Sequence, residues 1–105
     1  MMQDTPPSPQ DCRSLDHVLR GVDAIDQQLL ALLSQRFDLM REVAVLDPLT
    51  DSFDGDSHRH RVMSNVRRAA FEMGVPVGLV GEFWDRLVDA SIATERQARA
   101  RLRSA

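Results

Sequence analysis

The sequence predicts an all-α protein of three helices, the first of them very long. Three observations carry that expectation. Apolar residues recur at steps of three and four through residues 15–46. Stop signals stand at Pro48 and at Gly74-Val75-Pro76, and no stretch shows the two-residue alternation of a half-buried strand. With 105 residues the chain is one small domain: residues 1–12 read as an extended arm around Pro6, Pro7 and Pro9, and residues 13–105 as a single helical domain.

The first helix rests on Leu15, Leu19, Val22, Ile25, Leu29, Leu32, Leu33, Met40 and Val43, separated by charged and amide side chains. Ser14 is its expected N-cap, with Asp16 in the first turn where a negative charge is favoured. Gly21 weakens it by about 1 kcal/mol relative to alanine. Pro48 disfavours helical geometry at Asp47 and closes the helix near Leu46. A helix of about 32 residues is ~48 Å long. A compact chain of this size is only roughly 34 Å across. The stripe runs the whole length, so something outside the chain must cover part of it, and a homodimer pairing the long helices is the economical arrangement.

Residues 47–57 (DPLTDSFDGDS) read as a solvated loop. Its aspartates lack the alternating ligands and closing glutamate of an EF-hand, so no metal site is expected there. A second helix is expected from about His58 to Met73, with Val62, Met63, Val66, Ala69, Ala70 and Met73 inward and Gly74 as its C-cap. A third runs from Val77 to Arg103 on Val80, Phe83, Trp84, Leu87, Val88 and Ile92. Its last turns, RQARARLRSA, look too basic to be buried and suit a helix C-terminus.

Composition removes several function classes. The chain is 43% hydrophobic and 28% charged, as a soluble globular protein is, and no apolar run reaches the ~20 residues of a membrane helix. The start, MMQDTPPSPQDC, has no basic region followed by an apolar core, so no secretory signal is expected. A single cysteine, Cys12, makes neither an internal disulfide nor a metal site, which fits a reducing cytoplasm. Thirteen basic against sixteen acidic residues give −3, too acidic for a general nucleic-acid binder. All thirteen are arginines, and without lysine there is no Schiff base, phosphate-loop lysine or lysine base. No tyrosine and one tryptophan argue against a stacking platform for single strands.

The informative residues are polar ones on apolar stripes. Leu29, Leu33, Arg36, Met40 and Val43 place Arg36 on the apolar face of the first helix. Either its stem packs and its head reaches water, or it points into a cavity to hold a carboxylate bidentately. On the third helix Val80, Trp84, Leu87, Ser91 and Glu95 put Ser91 and Glu95 on one stripe. A buried glutamate must be paired or protonated, and Arg36 is a candidate partner, directly or through a ligand. His58 and His60, interleaved with Arg59 and Arg61, are either an exposed helix start or a cationic rim over an anion; two residues apart they do not share a face for zinc.

Leu19-Arg20-Gly21-Val22-Asp23-Ala24-Ile25-Asp26 followed by Leu29-Leu30-Ala31-Leu32-Leu33-Ser34-Gln35-Arg36 resembles the first helix of the all-helical chorismate mutase family, which includes isochorismate pyruvate lyases. Pro9-Gln10-Asp11-Cys12 is similar to the opening of some of those lyases, and the stretch from Val62 through Gly74-Val75 to Glu95 also fits. The resemblance covers residues 9–100 or so. It implies an intertwined homodimer with two sites lined by both chains, no cofactor, no metal, and a pericyclic reaction of a dianion. In that reaction the protein supplies positioning and cations aimed at two carboxylates and a breaking ether bond. It assigns catalytic and substrate-binding roles to Arg36 and Glu95, and a substrate-binding role to Ser91.

Three positions depart from the family pattern. Its first arginine falls on Leu19, its lysine on Asp47 and its loop arginine on His58; only local shifts would bring in Arg20, Arg59 or Arg61 as replacements. An aspartate in place of a cation beside a dianion reverses several kcal/mol even at an effective dielectric of about 20. Three functions therefore stay open. The chain is an isomerase or lyase on chorismate or isochorismate with weakened activity, an enzyme acting on a less anionic substrate, or a non-catalytic member that pairs with a partner protein or senses a metabolite.

The overlong helix carries its own test. Obligate dimers lack a stable monomer, so the melting temperature is expected to rise with protein concentration. A stable folded monomer in sedimentation at micromolar concentration is the contrary result.

Overall fold

The computed structural model describes residues 14–46 and 53–104. They form α1 (Leu15–Leu46), α2 (Gly55–Met73) and α3 (Val77–Ser104), with no strand among the described residues. Asp47, Asp51 and the arm at 1–12 lie outside the described residues. Among the described residues no helix is long and apolar enough to cross a membrane. The chain divides into two compact units, Met1–Arg36 and Phe37–Ala105.

The first unit holds the front of α1. Ser14 caps it as expected: its hydroxyl accepts from the His17 N–H at 3.1 Å and its carbonyl from the Val18 N–H at 3.1 Å. Arg20 pairs with Asp16 one turn back at 2.7 Å. In the isolated chain Leu15, Leu19, Val22, Ile25, Leu29 and Leu32 are between 45% and 75% exposed, so the stripe that defines the helix is largely uncovered.

The second unit contains the end of α1, where Met40 and Ala44 are buried, and an antiparallel pair made by α2 and α3. Register follows from contacts along the pair. Arg59 reaches Asp85 and Asp89, while a Cβ added to Gly55 would lie 3.2 Å from Ile92 Cδ1. Met63 and Ala70 of α2 and Val80, Leu87, Val88 and Ile92 of α3 are the buried apolar residues of the two helices. Gly74 ends α2 at φ 73°, in the left-handed region. Its N–H reaches the Phe71 carbonyl at 3.4 Å and the Val75 N–H reaches that of Ala70 at 2.9 Å, which satisfies two terminal carbonyls at once.

Two expectations are corrected. The second helix begins at Gly55 rather than His58, because Asp54 is its cap: the carboxylate accepts from the Asp56 N–H at 3.0 Å, the Ser57 N–H at 3.4 Å and the Ser57 hydroxyl at 2.8 Å. Ala69 and Met73, expected inside, are exposed: Ala69 stands beside the buried Ala70 but turned off its face, and Met73, 77% exposed, is the last residue of α2 and lies beyond Ala70, where burial stops.

Both caps give measurable consequences. Gly74→Ala forces a Cβ into left-handed geometry and is expected to cost about 1 kcal/mol in urea unfolding; an unchanged midpoint would contradict the cap. The Ser57 hydroxyl, then the Ser57 and Asp56 N–H groups, hold the Asp54 carboxyl below its ordinary value. A depressed folded value means that its contribution is complete above the unfolded carboxyl's pKa and is lost as pH falls through the folded one. Asp54→Asn keeps the cap but cannot titrate, so the variant should lose less stability than the native chain between about pH 6 and pH 3. Equal losses would show that the cap does not titrate with folding.

Candidate functional site

Ser91, Glu95 and Arg99 follow one another at four-residue intervals on α3 and are 0%, 3% and 5% exposed. Spacing alone stacks them on one helix face. The Ser91 hydroxyl donates to the Leu87 carbonyl at 2.7 Å, which commits its proton to the helix. Arg99 Nε donates to Glu95 Oε2 at 2.8 Å, and Nη2 of the same guanidinium lies 2.8 Å from that oxygen. Both contacts fall on Oε2, so Oε1 stands outside the pair.

This arrangement changes the sequence reading in one respect. Glu95 is buried, but its cation is Arg99, one turn along the same helix, where Arg36 had been the candidate. The last turns of α3 are not wholly in solvent. A Glu followed four residues later by Arg is the favourable helical orientation, and that spacing was the signal available in the sequence. Its force was hidden by the basic composition around it. Glu95 and Arg99 also line a cavity of about 620 Å³ within the second unit, together with Phe53, Asp54, Arg96 and Arg103.

The other candidate residues lie as follows. Arg36, in the first unit, is half-buried; burial lowers its guanidinium from the ordinary arginine value, which is high enough that the group stays charged. Leu19 is exposed. Arg20 is an exposed partner of Asp16. Arg59 reaches across to α3: Nη1 donates to the Asp85 carboxylate at 2.6 Å and to the Asp85 carbonyl at 3.3 Å, and Nη2 donates to the Asp89 carboxylate. Its role is to fasten α2 to α3. His58 is half-buried with its ring centroid 5.3 Å from that of Phe53, while His60 and Arg61 are exposed. Asp47 lies outside the described residues. Among the described residues no group of three or more His, Cys, Asp or Glu comes close enough to hold a metal ion.

Helices alone, with a long exposed apolar stripe and a serine and a paired glutamate buried on the last helix, define an all-helical protein with a polar pocket. The chain belongs to the chorismate mutase type II family, whose model matches residues 18–96. No curated protein and no solved structure matches it.

The buried pair is testable by unfolding. Glu95→Ala leaves a buried guanidinium without its carboxylate and is expected to cost about 3–5 kcal/mol. Replacing both residues by leucine should recover most of that loss, because an apolar pair avoids the desolvation of two charges. A Glu95→Ala cost under about 1 kcal/mol would mean that the pair behaves as a surface one.

Proposed function

We propose that this chain acts as an isomerase, or as a related pyruvate lyase, on a chorismate- or isochorismate-type dianion, with activity well below that of an intact family member. Membership of the chorismate mutase type II family over residues 18–96 is the observation that carries the reading. The buried Ser91 and Glu95 on α3 and the half-buried, charged Arg36 on α1 support it, since they fall where the family pattern has polar ligands. The isomerisation breaks one carbon–oxygen bond of the ether and forms one carbon–carbon bond within the same molecule. It needs no nucleophile or cofactor from the protein. Its barrier responds to how tightly the two carboxylates are held and how well the ether oxygen is stabilised as charge develops on it. Arg36 is the cation proposed for a carboxylate, and Glu95 the group facing the ether oxygen. The acting unit is a homodimer, which would cover the exposed stripe of α1.

Two of the cations that would compensate for Leu19, Asp47 and His58, Arg20 and Arg59, already have partners. Arg20 is held by Asp16, and Arg59 by Asp85 and Asp89. Freeing either means breaking those pairs. The same observation favours the second reading, a non-catalytic family member that works as a dimeric protein partner or senses a metabolite.

Chorismate consumption decides between them. Native turnover is expected at least about a hundredfold below that of an intact mutase, which corresponds to a loss of roughly 2.7 kcal/mol of transition-state stabilisation. The Leu19→Arg, Asp47→Lys double variant should regain part of it. High native activity, or a folded double variant with no gain, would overturn the weakened-enzyme reading; no turnover by either protein would favour the non-catalytic one.

A further inference from the structure

We infer that Arg99 is a positioning residue that holds Glu95 as a carboxylate able only to accept hydrogen bonds, so that Glu95 opposes the proposed rearrangement where a donor would assist it. The inference rests on the reading of the site given above, in which Glu95 faces the ether oxygen. It adds a residue outside the set that the family pattern assigns. It also gives low activity a cause separate from Leu19, Asp47 and His58.

The geometry of the pair carries it. Nε and Nη2 of Arg99 both lie 2.8 Å from Glu95 Oε2, and the two side chains are 5% and 4% exposed. An ionised glutamate has lone pairs and no proton to give. Oε1, outside the pair, is the oxygen left to face a ligand, since Glu95 also lines the cavity. The preceding residue of the stripe does not supply the missing donor, because the Ser91 hydroxyl gives its proton to the Leu87 carbonyl. The other charged residues of the cavity wall stand apart from the pair: Arg96 and Arg103 are exposed, and Asp54 is held by the cap of α2.

Stability gives no reason to keep the pair, since replacing a buried ion pair by apolar residues of similar volume is often neutral or stabilising. Nor does the helix end, because cations there are already favourable in solvent. The consequence falls on the chemistry instead. As the carbon–oxygen bond of the ether lengthens, negative charge gathers on the oxygen, and a donor aimed at it lowers the barrier. A carboxylate in the same place repels that charge, more strongly in the transition state than in the bound substrate. The penalty therefore falls on kcat more than on KM.

Four full-length chains test this: the native one, Glu95→Gln, Arg99→Gln and the double variant. Glu95→Gln puts an amide that can donate where the carboxylate stood, and kcat for chorismate is expected to rise at least about tenfold while KM changes less than about threefold. Arg99→Gln removes the counter-charge, so the buried Glu95 takes up a proton from solvent and kcat rises as well. The double variant should gain no more than Glu95→Gln alone, because Arg99 acts only through Glu95. Infrared difference spectra, native minus Glu95→Gln and Arg99→Gln minus the double variant, read Glu95 without turnover. A carboxylate stretch is expected in the first and a carboxylic-acid carbonyl stretch in the second. If Arg99→Gln does not fold, the Glu95→Gln kinetics and the first spectrum still decide. A carboxylic acid at Glu95 in the native chain, no rise in kcat for Glu95→Gln, or gains that add in the double variant would each overturn the inference and leave the proposed reaction standing. No turnover by any of the four chains would overturn the proposed reaction, and this inference with it.

Discussion

A carboxylate taken out of water must bring its counter-charge with it, and in this protein that requirement shapes the end of α3. Glu95 sits on the buried stripe, and the cation that follows it inside is Arg99, one turn away, at 2.8 Å. Removing either partner would strand a charge at a cost comparable to much of a small domain's stability. The pair therefore fixes which face of α3 turns inward at its basic end. Ser91 is carried to the same face one turn earlier, and Arg96 and Arg103 are left at the rim of the cavity.

Counter-charges also occupy some of the chain's other arginines. Sixteen acidic residues accompany thirteen arginines, and some of the arginines are held by carboxylates. Asp16 holds Arg20 and Asp38 holds Arg41 along α1, while Asp85 and Asp89 hold Arg59 across from α2. Exposed helical pairs of this kind contribute only a few tenths of a kcal/mol to stability. Their functional effect is larger than their energetic one. A guanidinium already facing two carboxylates presents little net field to an anionic ligand, whatever family position it stands near.

Much of the secondary structure was legible in the sequence because it depends on neighbours a few residues apart. The three-and-four spacing of Leu15 to Val43 made α1, Ser14 capped it, and Gly74 ended α2 with a left-handed turn, all by interactions within about one turn of helix. Asp54 is open to the same reasoning, but three other aspartates surround it in an apparently uniform loop. Its role as a cap depends on which aspartate precedes the first helical turn, a local signal masked by repetition.

Fold class, the long amphipathic first helix and the stripe carrying Ser91 and Glu95 were thus determined by the sequence itself, since periodicity and capping are properties of short segments. Tertiary structure decided which charges meet. Arg59 turned to Asp85 and Asp89, 26 and 30 residues away, because α2 folds back along α3 and sets those groups side by side. Composition placed Arg99 in solvent; packing placed it inside, because once the face bearing Val88, Ser91 and Ile92 is buried, the residues one and two turns further on are buried with it. Pairing between distant charges and the depth of a side chain depend on how helices pack, and no single stretch of sequence carries that information.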